Sequence, residues 1–122
     1  ILSFHVPSAV ATKKMVDAEL LARMPVGAIV INTSRGDIVD EEALIKAMDE
    51  KGIRAGLDVF RGEPSGDEVE FQSALARHPN VYGTHHIGAS TDQAQAAVAS
   101  GVIEILDAFN RGNIQHCVNM DT

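Results

Sequence analysis

Three side chains in this sequence carry complementary chemistry. Arg35 offers a guanidinium that can fork onto a carboxylate through two charge-assisted hydrogen bonds. His86 offers an imidazole, the side chain suited to giving and taking protons near neutrality. Glu63 offers a carboxylate that, on reaching the second ring nitrogen, would orient that imidazole and stabilise its cation. Together such groups can hold a small acid and move a proton on it. Each also has a plain reading. An arginine after a strand is ordinarily a solvated or ion-paired surface group, and a glutamate beside Pro64 in a hydrophilic loop ordinarily faces water. On residue types alone, both readings stand.

Two further features bear on the chemistry. Adjacent His85 and His86 suggest a metal, but neighbours in an extended segment point in opposite directions, and no Cys or further His lies at ligand spacing. No metal site is expected. His5, His78 and the lone Cys117 read as structural or surface residues.

The elements that must position the three groups follow from hydrophobic periodicity. Ile1–Val6 is the first candidate strand, stopped by Pro7, which cannot continue a central ladder. Asp17 caps a short helix, Ala18–Met24, with Leu20, Leu21 and Met24 on one side. Pro25 and Gly27 punctuate the turn into a second strand, Ala28–Ile31. Asp40 caps a second helix, Glu41–Glu50, with Ala43, Leu44, Ala47 and Met48 on one face and Gly52 at its left-handed end. A third strand, Ala55–Phe60, leads through a polar loop containing Pro64, Gly66 and Asp67 to a short helix around Phe71–Arg77. The fourth strand is Asn80–Gly83. The longest helix, about Asp92–Arg111, carries Ala94, Val98, Val102, Ile105 and Phe109 on one stripe.

Strands alternating with helices, each strand continuously apolar, predict an α/β fold with a parallel sheet covered on both faces by helices. Ligands of such sheets bind beyond the carboxyl ends of the strands. Arg35 follows the second strand, Asp58 lies near the end of the third with Glu63 five residues further on, and His86 follows the fourth. The topology therefore predicts that the three groups converge at one edge.

Composition bounds the partners. The 122 residues are enough for one domain with a real core. A net charge of -7 with scattered basic residues argues against nucleic acid. No apolar run approaches the ~20 residues of a membrane span, and the amino end lacks the pattern of a signal peptide. One cysteine is consistent with a reducing compartment, so a cytoplasmic location is expected.

The motifs NTSRG (32–36), LDVFRGEP (57–64) and THHIGAST (84–91), in this order and spacing, resemble the D-isomer-specific 2-hydroxyacid dehydrogenases. Within that family the motifs resemble those of the phosphoglycerate dehydrogenases of serine biosynthesis. The resemblance extends from the FHVP segment to the closing VNM. It implies a substrate-binding arginine at Arg35, a histidine-supporting glutamate at Glu63 and an acid/base histidine at His86. It also implies a Rossmann-type fold with NAD as cofactor: Asp58 near the nicotinamide carboxamide, Thr33, Ser34, Arg35, His86, Gly88 and Ala89 along the cofactor, and Val6 and Pro7 on its adenosine side. The implied reaction is reversible hydride transfer between a small-molecule 2-hydroxy acid and the nicotinamide. His85 stands where many members have proline, which loosens the loop bearing His86.

A dinucleotide also needs a glycine-rich turn at a helix N-terminus, yet the ten glycines include no G-x-G pair. The chain begins inside an apolar segment, so residues 1–122 are expected to be the C-terminal half of an NAD-binding domain, without the glycine-rich first half or a substrate domain. Two other readings stay open. One is a non-catalytic half-domain that assembles as a homo-oligomer through surfaces otherwise buried. The other is an NAD-sensing corepressor that keeps the three residues but acts through protein partners.

Overall fold

The computed structural model describes residues 1–64 and 71–119. Gly66 and Asp67 of the expected polar loop, and Met120 of VNM, lie outside them. The described chain forms two compact units, 1–86 and 87–119.

The first unit is built on a four-stranded sheet of β1 (Leu2–Phe4), β2 (Ile29–Asn32), β3 (Arg54–Leu57) and β4 (Val81–Gly83), in that spatial order. All three pairings are parallel, with Phe4, Asn32, Leu57 and Gly83 aligned in one row across the sheet. β1, β3 and β4 are shorter than the apolar runs because pairing stops where the chain turns away, and β2 keeps its length but shifts by one residue to end on Asn32. Two helices accompany the sheet, α1 (Ala18–Arg23) and α2 (Glu41–Lys51).

Local chemistry explains both helices. The Asp17 carboxylate accepts from Leu20 N–H at 2.9 Å, and Asp40 accepts from Ala43 N–H at 3.3 Å, each satisfying an orphan donor of the first turn. The Lys51 ammonium donates to the carbonyls of Leu21, Ala22 and Met24, neutralising the carboxyl end of α1. Gly52 ends α2 at φ 61°, in the left-handed region where a side chain would be strained.

The core lies on one face of the sheet. Val30, Ala55 and Leu57 meet Leu21, Leu44 and Met48 from the helices, with Val16, Ile38 and Ile53 closing the cluster. Each fully buried large aliphatic side chain contributes about 1.5–3 kcal/mol. The opposite face holds Ser3, Ile31, Gly56 and Tyr82; Ile31 and Gly56 are half-buried and Tyr82 is exposed. Among the described residues of this unit, the sealed core lies on the first of these faces.

A correction concerns 71–77, expected as a short helix. Only a single turn forms, with the Ser73 hydroxyl accepting from Ala76 N–H at 3.2 Å and Arg77 N–H donating to the Ser73 carbonyl at 3.3 Å. Pro79 disfavours helical backbone at His78 and stops propagation after one turn.

The second unit contains α3 (Asp92–Asn110), capped by the Thr91 hydroxyl on Ala94 N–H at 3.1 Å. Its apolar stripe is a surface rather than a core: Val98, Val102, Ile105 and Phe109 are exposed. Among the described residues no helix is long and apolar enough to cross a membrane.

Asp40 ties the base of the NTSRG turn to its surroundings as well as capping α2. Its carboxylate pairs with the Lys14 ammonium at 2.9 Å. That hydrogen bond, with the Ala43 N–H behind it, holds the carboxyl below the usual carboxylate range. A group depressed on folding stabilises the fold above its unfolded pKa, and that contribution is lost as pH falls through the folded value. Asp40→Ala is therefore expected to lower stability by about 1 kcal/mol at neutral pH. The gap from wild type should close in acid, as read by urea denaturation at two pH values. A gap that persists when both proteins are fully protonated would refute the electrostatic part.

Candidate active site

Arg35, Glu63 and His86 line one cavity of about 280 Å³ in the first unit, together with Ser8, Asp37 and Arg61. That volume lies at the small end of ligand pockets and suits a small molecule. It opens beyond the carboxyl ends of β2, β3 and β4, where a parallel sheet binds its ligands.

Asn32 organises the arginine turn. It is fully buried at the end of β2, and its carboxamide bonds back onto the chain that follows. Its Nδ2 donates to the Arg35 carbonyl at 2.8 Å, while its Oδ1 accepts from Ser34 N–H at 3.1 Å and Ser34 Oγ at 2.7 Å. The turn then enters a short 3₁₀ helix, Gly36–Ile38, which buries Ile38. The Arg35 side chain is exposed, with Nη1 donating to the Ser34 carbonyl at 2.6 Å. Most of its five donors remain for a ligand.

The turn after β3 is pressed against this one. A β-carbon added at Gly36 would lie 2.1 Å from the Phe60 carbonyl carbon and 2.6 Å from Arg61 N, so no side chain fits. Phe60 is buried and its ring packs against Phe71, centroids 5.9 Å apart. Phe60 N–H donates to Glu63 Oε1, and Glu63 Oε2 lies 2.8 Å from His86 Nδ1. A carboxylate can only accept, so Nδ1 is the donor, and a neutral His86 keeps its lone pair on Nε2. Glu63 is 26% exposed and His86 48%. The plain reading of Glu63 as solvent-facing does not hold, because both of its oxygens are engaged.

The His86 backbone adopts φ 60°, which a non-glycine residue pays for in strain. The segment 84–86 is therefore bent, not extended as the sequence reading assumed. Its anchor is Thr84, whose N–H donates to the Leu57 carbonyl at 2.9 Å and whose hydroxyl donates to Asp58 Oδ1 at 2.5 Å. Asp58 is 7% exposed, a buried carboxylate at the carboxyl end of β3.

The other expected cofactor residues fall as follows. Val6 is half-buried and Pro7 exposed after β1; Thr33 is exposed and Ser34 half-buried in the arginine turn. Gly88 and Ala89 belong to the second unit, exposed in the turn before α3. Among the described residues no cluster of three His, Cys, Asp or Glu is arranged to hold a metal.

Sequence reasoning passed over Asn32, Ser8, Asp37 and Arg61. Ser8 Oγ donates to Asp37 Oδ2 at 2.5 Å, joining the end of the first strand segment to the arginine turn. A signal for Asn32 existed: a polar residue closing an apolar run asks where its carboxamide is satisfied.

Residues 1–88 match the model of the D-isomer-specific 2-hydroxyacid dehydrogenase NAD-binding domain. A D-3-phosphoglycerate dehydrogenase from Methanocaldococcus jannaschii is 40% identical over 121 residues, covering 98% of this chain and 22% of that protein. A hydroxypyruvate reductase from Thermotoga maritima is 42% identical over 104 residues, covering 84% of this chain and 33% of that protein. The chain thus spans a third or less of the length of these relatives. The crystal structure of a D-lactate dehydrogenase with NAD+ from Lactobacillus jensenii superposes with a TM-score of 0.79 at 30% identity, covering 93% of this chain and 37% of that one. The sheet and its helices are those of a Rossmann-type NAD-binding domain.

Proposed function

The chain belongs to the D-isomer-specific 2-hydroxyacid dehydrogenase family, and on that footing we propose that it is the C-terminal half of the NAD-binding domain of a D-2-hydroxy acid dehydrogenase acting on a phosphoglycerate-like substrate. The observation that carries the reading is the Glu63–His86 pair at 2.8 Å, sharing one cavity with Arg35. The 40% identity to a phosphoglycerate dehydrogenase over 98% of the chain supports the substrate class, as does a second arginine, Arg61, on the cavity wall.

Arg35 binds the substrate carboxylate and stabilises charge building on the C2 oxygen. His86 Nε2 takes the hydroxyl proton as the alcohol is oxidised and returns it in reduction. Glu63 holds the ring by its Nδ1–H and stabilises the imidazolium that forms. NAD, when bound, supplies the hydride acceptor. The buried Asp58 carboxylate, anchored by the Thr84 hydroxyl, would accept from the amide N–H of the nicotinamide, and Thr33, Ser34, Val6 and Pro7 would help to hold the cofactor.

Grafting the 121-residue matched segment into the Methanocaldococcus protein tests this reading. The folded chimaera is expected to reduce NAD with D- but not L-2-hydroxy acids, phosphorylated ones best. A folded chimaera without such activity would overturn the assignment.

A further inference from the structure

Glu41, in the first turn of α2, reaches 20 residues along the chain to accept the backbone N–H of Arg61 at 2.7 Å. The same peptide is closed off by Gly36, whose added β-carbon would stand 2.6 Å from Arg61 N and 2.2 Å from the Phe60 carbonyl oxygen. The Phe60–Arg61 peptide is thus held between a glycine backbone and a carboxylate. One residue back, Phe60 N–H donates to Glu63 Oε1, and Glu63 Oε2 meets His86 Nδ1. A short relay of contacts therefore runs from α2 to the imidazole.

We propose that Glu41 is a positioning residue for the acid–base pair. Its carboxylate seats the Phe60–Arg61 peptide on Gly36 and so directs the Glu63 carboxylate at His86 Nδ1. The proposal rests on reading Glu63 and His86 as a dyad. It goes further by assigning a role to a residue outside the cavity wall. A bare helix-terminal acid would only complement the α2 dipole. The bond to Arg61 N–H is directional, and its geometry fixes a turn whose end carries the carboxylate that orients His86. Without Glu41, one backbone donor is left to water and the turn is free to lift from Gly36, whose lack of a side chain offers no grip.

The tautomer of neutral His86 reports the contact, since the hydrogen bond at one ring nitrogen decides which carries the proton. Besides Glu63, the charged groups on the same cavity are Arg35, Asp37 and Arg61. Imidazole proton–nitrogen correlation spectra of the full chain, labelled at histidine and recorded in alkaline solution, should show His86 as the Nδ1–H form. Loss of its signals in His86→Gln assigns them. Glu63→Ala should move the population toward Nε2–H, and Glu41→Ala should produce at least half of that movement. Glu41→Gln, whose carboxamide oxygen still accepts from Arg61, should stay close to wild type.

Glu42→Ala removes an equivalent charge from the same helical turn at an exposed position, and should leave the tautomer unchanged. If Glu63→Ala moves the tautomer and Glu41→Ala does not, or if Glu42→Ala moves it equally, the positioning role is overturned. If Glu63→Ala itself moves nothing, the dyad fails first and the proposal with it. Should Glu41→Ala unfold the chain, Glu41→Asp, one methylene short of Arg61 N–H, decides by the same spectra. A wild-type tautomer there overturns the proposal.

Discussion

Arg35→Ala in the active chimaera is expected to lower kcat/KM by roughly 10⁴-fold while leaving the fold intact. Two losses combine. Removing a fixed donor to a developing oxyanion costs roughly 10²–10³-fold, and releasing the substrate carboxylate forfeits orientation worth roughly another 10²-fold. The fold should barely respond, because the side chain is exposed and, among the described residues, its guanidinium makes one bond, to the Ser34 carbonyl. Exposed substitutions of this kind stay within about 0.5 kcal/mol. The turn itself is held by Asn32, which bonds the Arg35 backbone and not its side chain. Arg35→Lys should recover only part of the loss, since an ammonium restores charge but not the planar fork. Kinetics and thermal melts of the two variants check this. A fall of less than tenfold in Arg35→Ala, with an unchanged melt, would remove the arginine from the site.

What could be read from the sequence was what local chemistry decides. The caps Asp17 and Asp40 and the left-handed Gly52 stand where expected, because a capping bond involves residues three or four apart. The order of strands and helices followed from runs and periods, and so did the parallel sheet. What escaped was tertiary. Gly36 looks like any turn glycine; only the approach of the Phe60–Arg61 backbone, from a different loop, explains why nothing larger fits. The Glu63 loop reads as hydrophilic and solvated until Phe60 N–H and His86 are seen to occupy both carboxylate oxygens. The α3 stripe shows the opposite limit. A 3.6-residue period identifies an apolar face without saying what covers it, and Val98 and Phe109 remain exposed. The 71–77 segment failed as a helix because Pro79 acts back on His78, leaving too few residues to repay nucleation.

His86→Ala in the same chimaera is expected to lower kcat by roughly 10²–10⁴-fold, the usual worth of a positioned general base. The loss should fall on kcat more than on KM, because on the proposed reading Arg35 would still bind the carboxylate and the proton moves only in the transition state. Added imidazole should restore part of the rate by entering the space the side chain leaves. Glu63 supplies the sharper check. It acts only through the ring it holds at 2.8 Å. Glu63→Ala should therefore cost activity in the His86 protein but almost nothing further once His86 is alanine, a strong departure from additivity. The backbone at φ 60° admits alanine at some cost, so His86→Gln, also without a usable base, should show the same kinetics. If the Glu63 and His86 losses simply multiply, the two side chains work independently, and the carboxylate is not acting through the imidazole.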